Sequence, residues 1–125
     1  MAKLIRYCVM EEEHSGENVF IVHRPFVFGN PYTHIKNRET KALIKVSSRE
    51  EAIKLYEPYF EKMLNIDDNF KKEWERLIMA YYQFDVIYIG CYCKLNENCH
   101  GDIIIKKLRQ YVMKQHIASL LKNKK

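Results

Sequence analysis

Four side chains able to bind a metal or attack a substrate crowd one stretch of the chain. They are Cys91, Cys93, Cys99 and His100, within Gly90-Cys91-Tyr92-Cys93-Lys94-Leu95-Asn96-Glu97-Asn98-Cys99-His100-Gly101-Asp102. Three chemistries fit them. As a metal set, Cys-x-Cys-x5-Cys-His offers four zinc-type donors within ten residues. His23 and His34 are alternative donors, and the spacing is not that of paired Cys-x-x-Cys knuckles. As an anion cradle, a helix starting at Cys99 to Asp102 presents unpaired backbone N–H groups and a favourable dipole. Gly101 would admit close approach, and Arg24 could supply a planar fork for phosphate or carboxylate. His100 could donate a hydrogen bond or shuttle a proton, and Asp102 could cap the helix or hold a ribose hydroxyl. As a reactive thiol, Cys99 at a helix start would ionise more readily. Against all three stands burial of Cys91 and Cys93 as small core residues.

These residues need a strand before them and a helix after. Val86 to Tyr92 is apolar without alternation, as in a strand covered on both faces. Ile104, Leu108, Tyr111, Val112 and Ile117 to Leu121 predict a closing helix with a long apolar face. Upstream, Lys3 to Met10 and Asn18 to His23 read as strands, and the polar turn Glu11 to Glu17 between them suggests a hairpin. Arg24 to His34 holds two prolines and a glycine, which excludes regular helix, yet Phe26, Val27 and Phe28 require it to pack. Gly29-Asn30 offers backbone angles that other residues avoid. Lys41 to Val46 is a third strand. Ser48-Arg49-Glu50-Glu51 is a capping box for a helix whose face carries Ala52, Tyr56, Tyr59 or Phe60, and Met63, with a kink or break expected at Pro58. Asp67 or Asp68 caps the next helix, and its Phe70, Trp74, Leu77, Ile78 and Tyr81 form a core stripe.

The fold class that follows is α/β: a small Rossmann-like sandwich, about four strands flanked by three helices, in a single domain over 1–125. Ligands bind beyond the carboxyl ends of strands in such sheets. That places a site at Gly90 to Cys93 and the start of the last helix, within reach of the Arg24 to His34 loop.

With 125 residues, 47% hydrophobic and 30% charged, the chain is long enough for one core and too apolar for disorder. No apolar run is long enough to span a bilayer and no signal peptide opens the chain, so a cytoplasmic protein without a membrane partner is expected. The net charge of +5 gathers partly in Lys122, Lys124 and Lys125. No aromatic residues interleave that tail, so nucleic acid is not the expected partner. Reduced thiols are expected of the four cysteines.

Taken together the motifs resemble the domain-of-unknown-function 4326 family of bacteria and their phages. The resemblance is carried by Val22 to Tyr32 with its Arg24 and Gly29-Asn30-Pro31-Tyr32, by Ser48 to Ile53 with Tyr56 behind it, by Gly90-Cys91-Tyr92-Cys93, and by Cys99-His100-Gly101-Asp102. It spans roughly residues 18 to 112. His23 stands where the family often has glycine, Tyr92 where it has tryptophan, and 94–98 lacks the usual prolines. The resemblance implies a Rossmann-like α/β fold and no particular reaction. A phage origin, hence a host cytoplasm, would suit the lysine-rich composition.

The leading functional expectation is a domain that binds a phosphate-bearing, nucleotide-derived small molecule through Arg24, Gly29, Asn30 and Gly101, with Cys99 at the pocket floor. One alternative is an enzyme that hydrolyses or transfers a glycosyl group on such a ligand, with His100, Asp102 and Cys99 as catalytic residues. Another is a protein that binds a host macromolecule through the aromatics of Phe26 to Tyr32. A homo-oligomer also remains open. No organic cofactor is expected, and zinc at Cys91, Cys93, Cys99 and His100 is the metal the pattern allows.

Overall fold

The computed structural model describes residues 2–24, 26–33 and 44–122. In chain order these form β1 (Lys3–Cys8), β2 (Val19–Ile21), β3 (Tyr32–Thr33), β4 (Ile44–Lys45), α1 (Arg49–Ile66), α2 (Asp68–Gln83), β5 (Val86–Cys91) and α3 (His100–Lys122). The fold is α/β, with the three helices expected. Pro25, His34, Lys41 to Leu43, Lys124 and Lys125 lie outside the described residues.

The strands form two parallel sheets, β1-β5-β2 and β3-β4. The expected hairpin of β1 and β2 does not form, because β5 lies between them. Cys8 pairs with Cys91 on one side of β5, and Ile21 pairs with Gly90 on the other. β5 carries the most buried residues of the three, Ile87, Ile89, Gly90 and Cys91, as suits the central strand. Parallel strands need a crossover. Residues 9–18 make it without a helix, and His14 stacks on Tyr88 with ring centroids 3.9 Å apart. Asn18 fixes the register: its Nδ2 donates to the Val86 carbonyl at 3.0 Å.

One hydrophobic core joins Phe20, Ile87 and Ile89 of the sheet to Tyr56 and Phe60 of α1, Phe70, Trp74 and Leu77 of α2, and Ile104 and Leu108 of α3. Ser48 caps α1 as its pattern predicts, accepting from the Glu51 amide. Asp67 caps α2, accepting from the Phe70 amide at 2.8 Å. The break expected at Pro58 is absent, and α1 runs through it. Pro58 and Lys54 are both exposed, so the carbonyl that loses its partner sits on the solvent side.

The apolar face of α3 is shorter than expected. Ile104, Ile105, Leu108 and Val112 are buried, but Met113, Ile117, Leu120 and Leu121 are exposed. At 3.6 residues per turn the second set lies about 150° round the helix from the first, so both cannot face one core. No described helix is long and apolar enough to cross a membrane.

Candidate functional site

Because β1, β5 and β2 are parallel, their carboxyl ends share one edge. β5 delivers Cys91 there, β2 leads into Val22, His23 and Arg24, and α3 begins beside both. The two segments meet directly: His100 Nε2 lies 2.6 Å from the Val22 carbonyl. A carbonyl only accepts, so Nε2 carries the proton and Nδ1 is the acceptor nitrogen. The Tyr56 ring packs edge-on against His100, with centroids 4.9 Å apart.

The sulfurs of Cys91, Cys93 and Cys99 converge, all within 4.8 Å of one another, and could hold a metal ion. Cys91 projects to the core side of β5, Cys93 follows the strand, and Cys99 precedes α3. His100 stands outside this three-atom cluster, with Nδ1 3.8 Å from Cys99 Sγ. His23 is not part of it either: Nδ1 donates to the Arg24 carbonyl at 2.7 Å, and the ring stacks on Tyr92. Cys8 makes a separate contact with the Tyr92 carbonyl.

Two arginines approach the sulfurs. Arg6 Nη1 lies 3.6 Å from Cys91 Sγ, and Arg49 Nη1 lies 3.4 Å from Cys93 Sγ. Neither stood out in the sequence, where Arg49 is an inner position of a capping box. A guanidinium inside the apolar run of β1 is the signal that could have found Arg6. Burial works against the Arg6 charge, but Cys91 and Asp102 outweigh it and raise its pKa above the ordinary arginine value. The Cys91 thiol is held far below the usual range by hydrogen bonds with Cys93 and Cys99, with help from Arg6. Cys99 is pushed up by Cys91 and Cys93 and by burial, opposite to the lowering expected at a helix start.

The remaining sequence candidates fall into two groups. Around α3, Asp102 pairs with Arg6 Nε at 3.0 Å and accepts from the Cys99 amide at 3.3 Å. The Gly101 amide donates to Cys99 Sγ at 3.3 Å. The space a Cβ would fill at Gly101 borders Arg6, Cys99 and Ile89, so the protein's own side chains make the close approach. Burial lowers the His100 pKa, against the opposing effect of its bond to Val22.

In the Gly-Asn-Pro segment, Arg24 and Gly29 line a cleft of about 380 Å³, with Phe26, Tyr59, Asn69 and Phe70 among its walls. Asn30 is buried behind it. Its Nδ2 donates to the Ala52 carbonyl and its Oδ1 accepts from the Tyr32 amide, both at 3.0 Å. Arg24 Nη1 donates to the Asn30 carbonyl at 2.6 Å. Burial lowers the Arg24 pKa, and Cys93 opposes that. The backbone freedom read into Gly29-Asn30 is not used, since Gly16 alone among the described residues has positive φ. Gly29 is needed for space: a Cβ there would sit 3.0 Å from Arg24 Cα and the Phe26 carbonyl oxygen.

No curated protein and no solved structure matches the chain. A family profile does, over residues 9–110, a span that takes in the cleft arginine, the capping box, all three clustered sulfurs and the start of α3. The chain belongs to the family described as domain of unknown function (DUF4326).

Proposed function

We propose that this is a zinc-bearing α/β domain that binds a phosphate-bearing, nucleotide-derived small molecule in the cleft beside Arg24. The observation that carries the reading is the convergence of three sulfurs and the Arg24 segment on one carboxyl edge of the sheet.

The donor set supports zinc. Tetrahedral Zn–S bonds of about 2.3 Å put ligand sulfurs about 3.8 Å apart. Cys91, Cys93 and Cys99 lie within 4.8 Å of one another, so a small contraction completes the geometry. His100 is the fourth ligand in this reading. Its Nε2–H is engaged by the Val22 carbonyl, which leaves Nδ1 facing Cys99, and such an outer hydrogen bond is what fixes a ligating imidazole. The test is the metal content of the purified, reduced protein.

Arg24 supports the anionic ligand. Its planar fork suits a phosphate, and the half-exposed Phe26 offers a face for a base or ribose. A thermal-shift survey of nucleotides, ADP-ribose-type compounds and inorganic phosphate tests it. A rise in Tm for at least one phosphate-bearing compound, abolished in Arg24→Ala, is the expected result. A folded wild type that responds to none of them removes this part of the reading.

A further inference from the structure

We infer that Arg6 and Arg49 are the charge-balancing residues of the sulfur centre, each positioned by its own carboxylate. The inference rests on the metal reading and adds the shell around it. Each sulfur meets a different N–H donor: Arg6 Nη1 for Cys91 at 3.6 Å, Arg49 Nη1 for Cys93 at 3.4 Å, and the Gly101 amide for Cys99 at 3.3 Å. Each guanidinium is held through another of its nitrogens. Arg6 Nε meets Asp102 at 3.0 Å, and Arg49 Nη2 meets Glu97 at 3.1 Å. The same pattern, carboxylate to guanidinium to sulfur, therefore occurs twice around one cluster.

The donors do not come from the local chain. Arg6 is 85 residues from its sulfur and Arg49 is 44. A neutral thiol gains little from a guanidinium, whereas a thiolate gains a charge-assisted hydrogen bond. Three thiolates exceed the charge of one divalent ion by one negative charge. The guanidiniums put positive charge directly against the sulfurs, while the carboxylate that neutralises each of them meets another of its nitrogens. Arg6 also ties down the loop between Cys93 and Cys99, donating to the Leu95 carbonyl at 3.1 Å and the Glu97 carbonyl at 2.8 Å. In this arrangement Asp102 and Glu97 act on the arginines, and the arginines act on the ligands.

The experiment is a cobalt(II) titration of the reduced, metal-free full chain, followed by competition with zinc. Wild type is compared with Arg49→Ala, Arg49→Lys and Glu97→Gln, with circular dichroism to check the fold. Wild type should develop sulfur-to-cobalt charge-transfer absorption. Arg49→Ala should bind cobalt roughly tenfold to a hundredfold more weakly, the usual effect of losing an outer-shell partner. Arg49→Lys keeps the charge without the fork and should recover part of the loss. Glu97→Gln should shift affinity the same way by a smaller factor, and it decides the matter should Arg49→Ala not fold. Absence of the charge-transfer band in wild type would overturn the metal reading and this inference together. A wild-type band with undiminished affinity in both Arg49→Ala and Glu97→Gln would overturn the charge-balancing role alone.

Discussion

Tyr56 joins the two halves of the site. Its buried hydroxyl donates to the Phe28 carbonyl at 2.7 Å while its ring packs on His100. Burial pushes its pKa well above the ordinary tyrosine value, so the phenol stays a donor throughout the physiological range. Tyr56→Phe keeps the ring and deprives a buried carbonyl of this donor. It should cost about 1–3 kcal/mol in chemical denaturation, and an unchanged midpoint would contradict the role. The sequence made Cys91, Cys93, Cys99 and His100 legible because they are neighbours in the chain. Arg6 and Arg49 were not, because their relation to the sulfurs exists only once β1 and α1 are in place.

At the scale of elements, β5 sets the order of the sheet, and Gly90 leaves room for the ring of Tyr7, its partner on β1. A Cβ at Gly90 would sit 2.8 Å from the Tyr7 ring, which is itself buried. Gly90→Ala should therefore destabilise the fold by about 1–3 kcal/mol, as overpacking does. A variant as stable as wild type in urea would show that Tyr7 has room to move. Periodicity found α1 and α2 because each buries one set of side chains, and an unbroken apolar run found β5. It misplaced β2, since neighbouring strands with a short connection usually pair. It also joined the two apolar sets of α3 into one face, because counting apolar residues does not register the angle between Val112 and Ile117.

Across the whole molecule, α1 and α3 are tied at the surface by Glu57, which meets Lys106 at 3.1 Å and Lys107 at 3.0 Å. Lys107 and then Lys106 hold the Glu57 pKa below its ordinary 4.5. A depressed carboxylate stabilises the fold above its ordinary pKa, and that contribution is lost as pH falls through the lower folded value. Wild type should exceed Glu57→Gln by less than about 1 kcal/mol at neutral pH, since the pair is partly exposed. The gap should close in acid, below the lowered Glu57 value. A gap that widens as pH falls would contradict the sign. At this scale the α/β class was legible in the sequence, as was the meeting of the Val22 segment with the start of α3. The split into two parallel sheets was not, since β3 and β4 are two residues each and too short for any period to register.

The account stands most directly on the metal content of reduced protein purified without chelator, measured by inductively coupled plasma mass spectrometry for wild type beside Cys93→Ser. It predicts close to one zinc per chain in wild type and loss of most of it in the variant. Wild-type protein that is folded and metal-free, with Cys93 reacting freely with a thiol reagent, would contradict it.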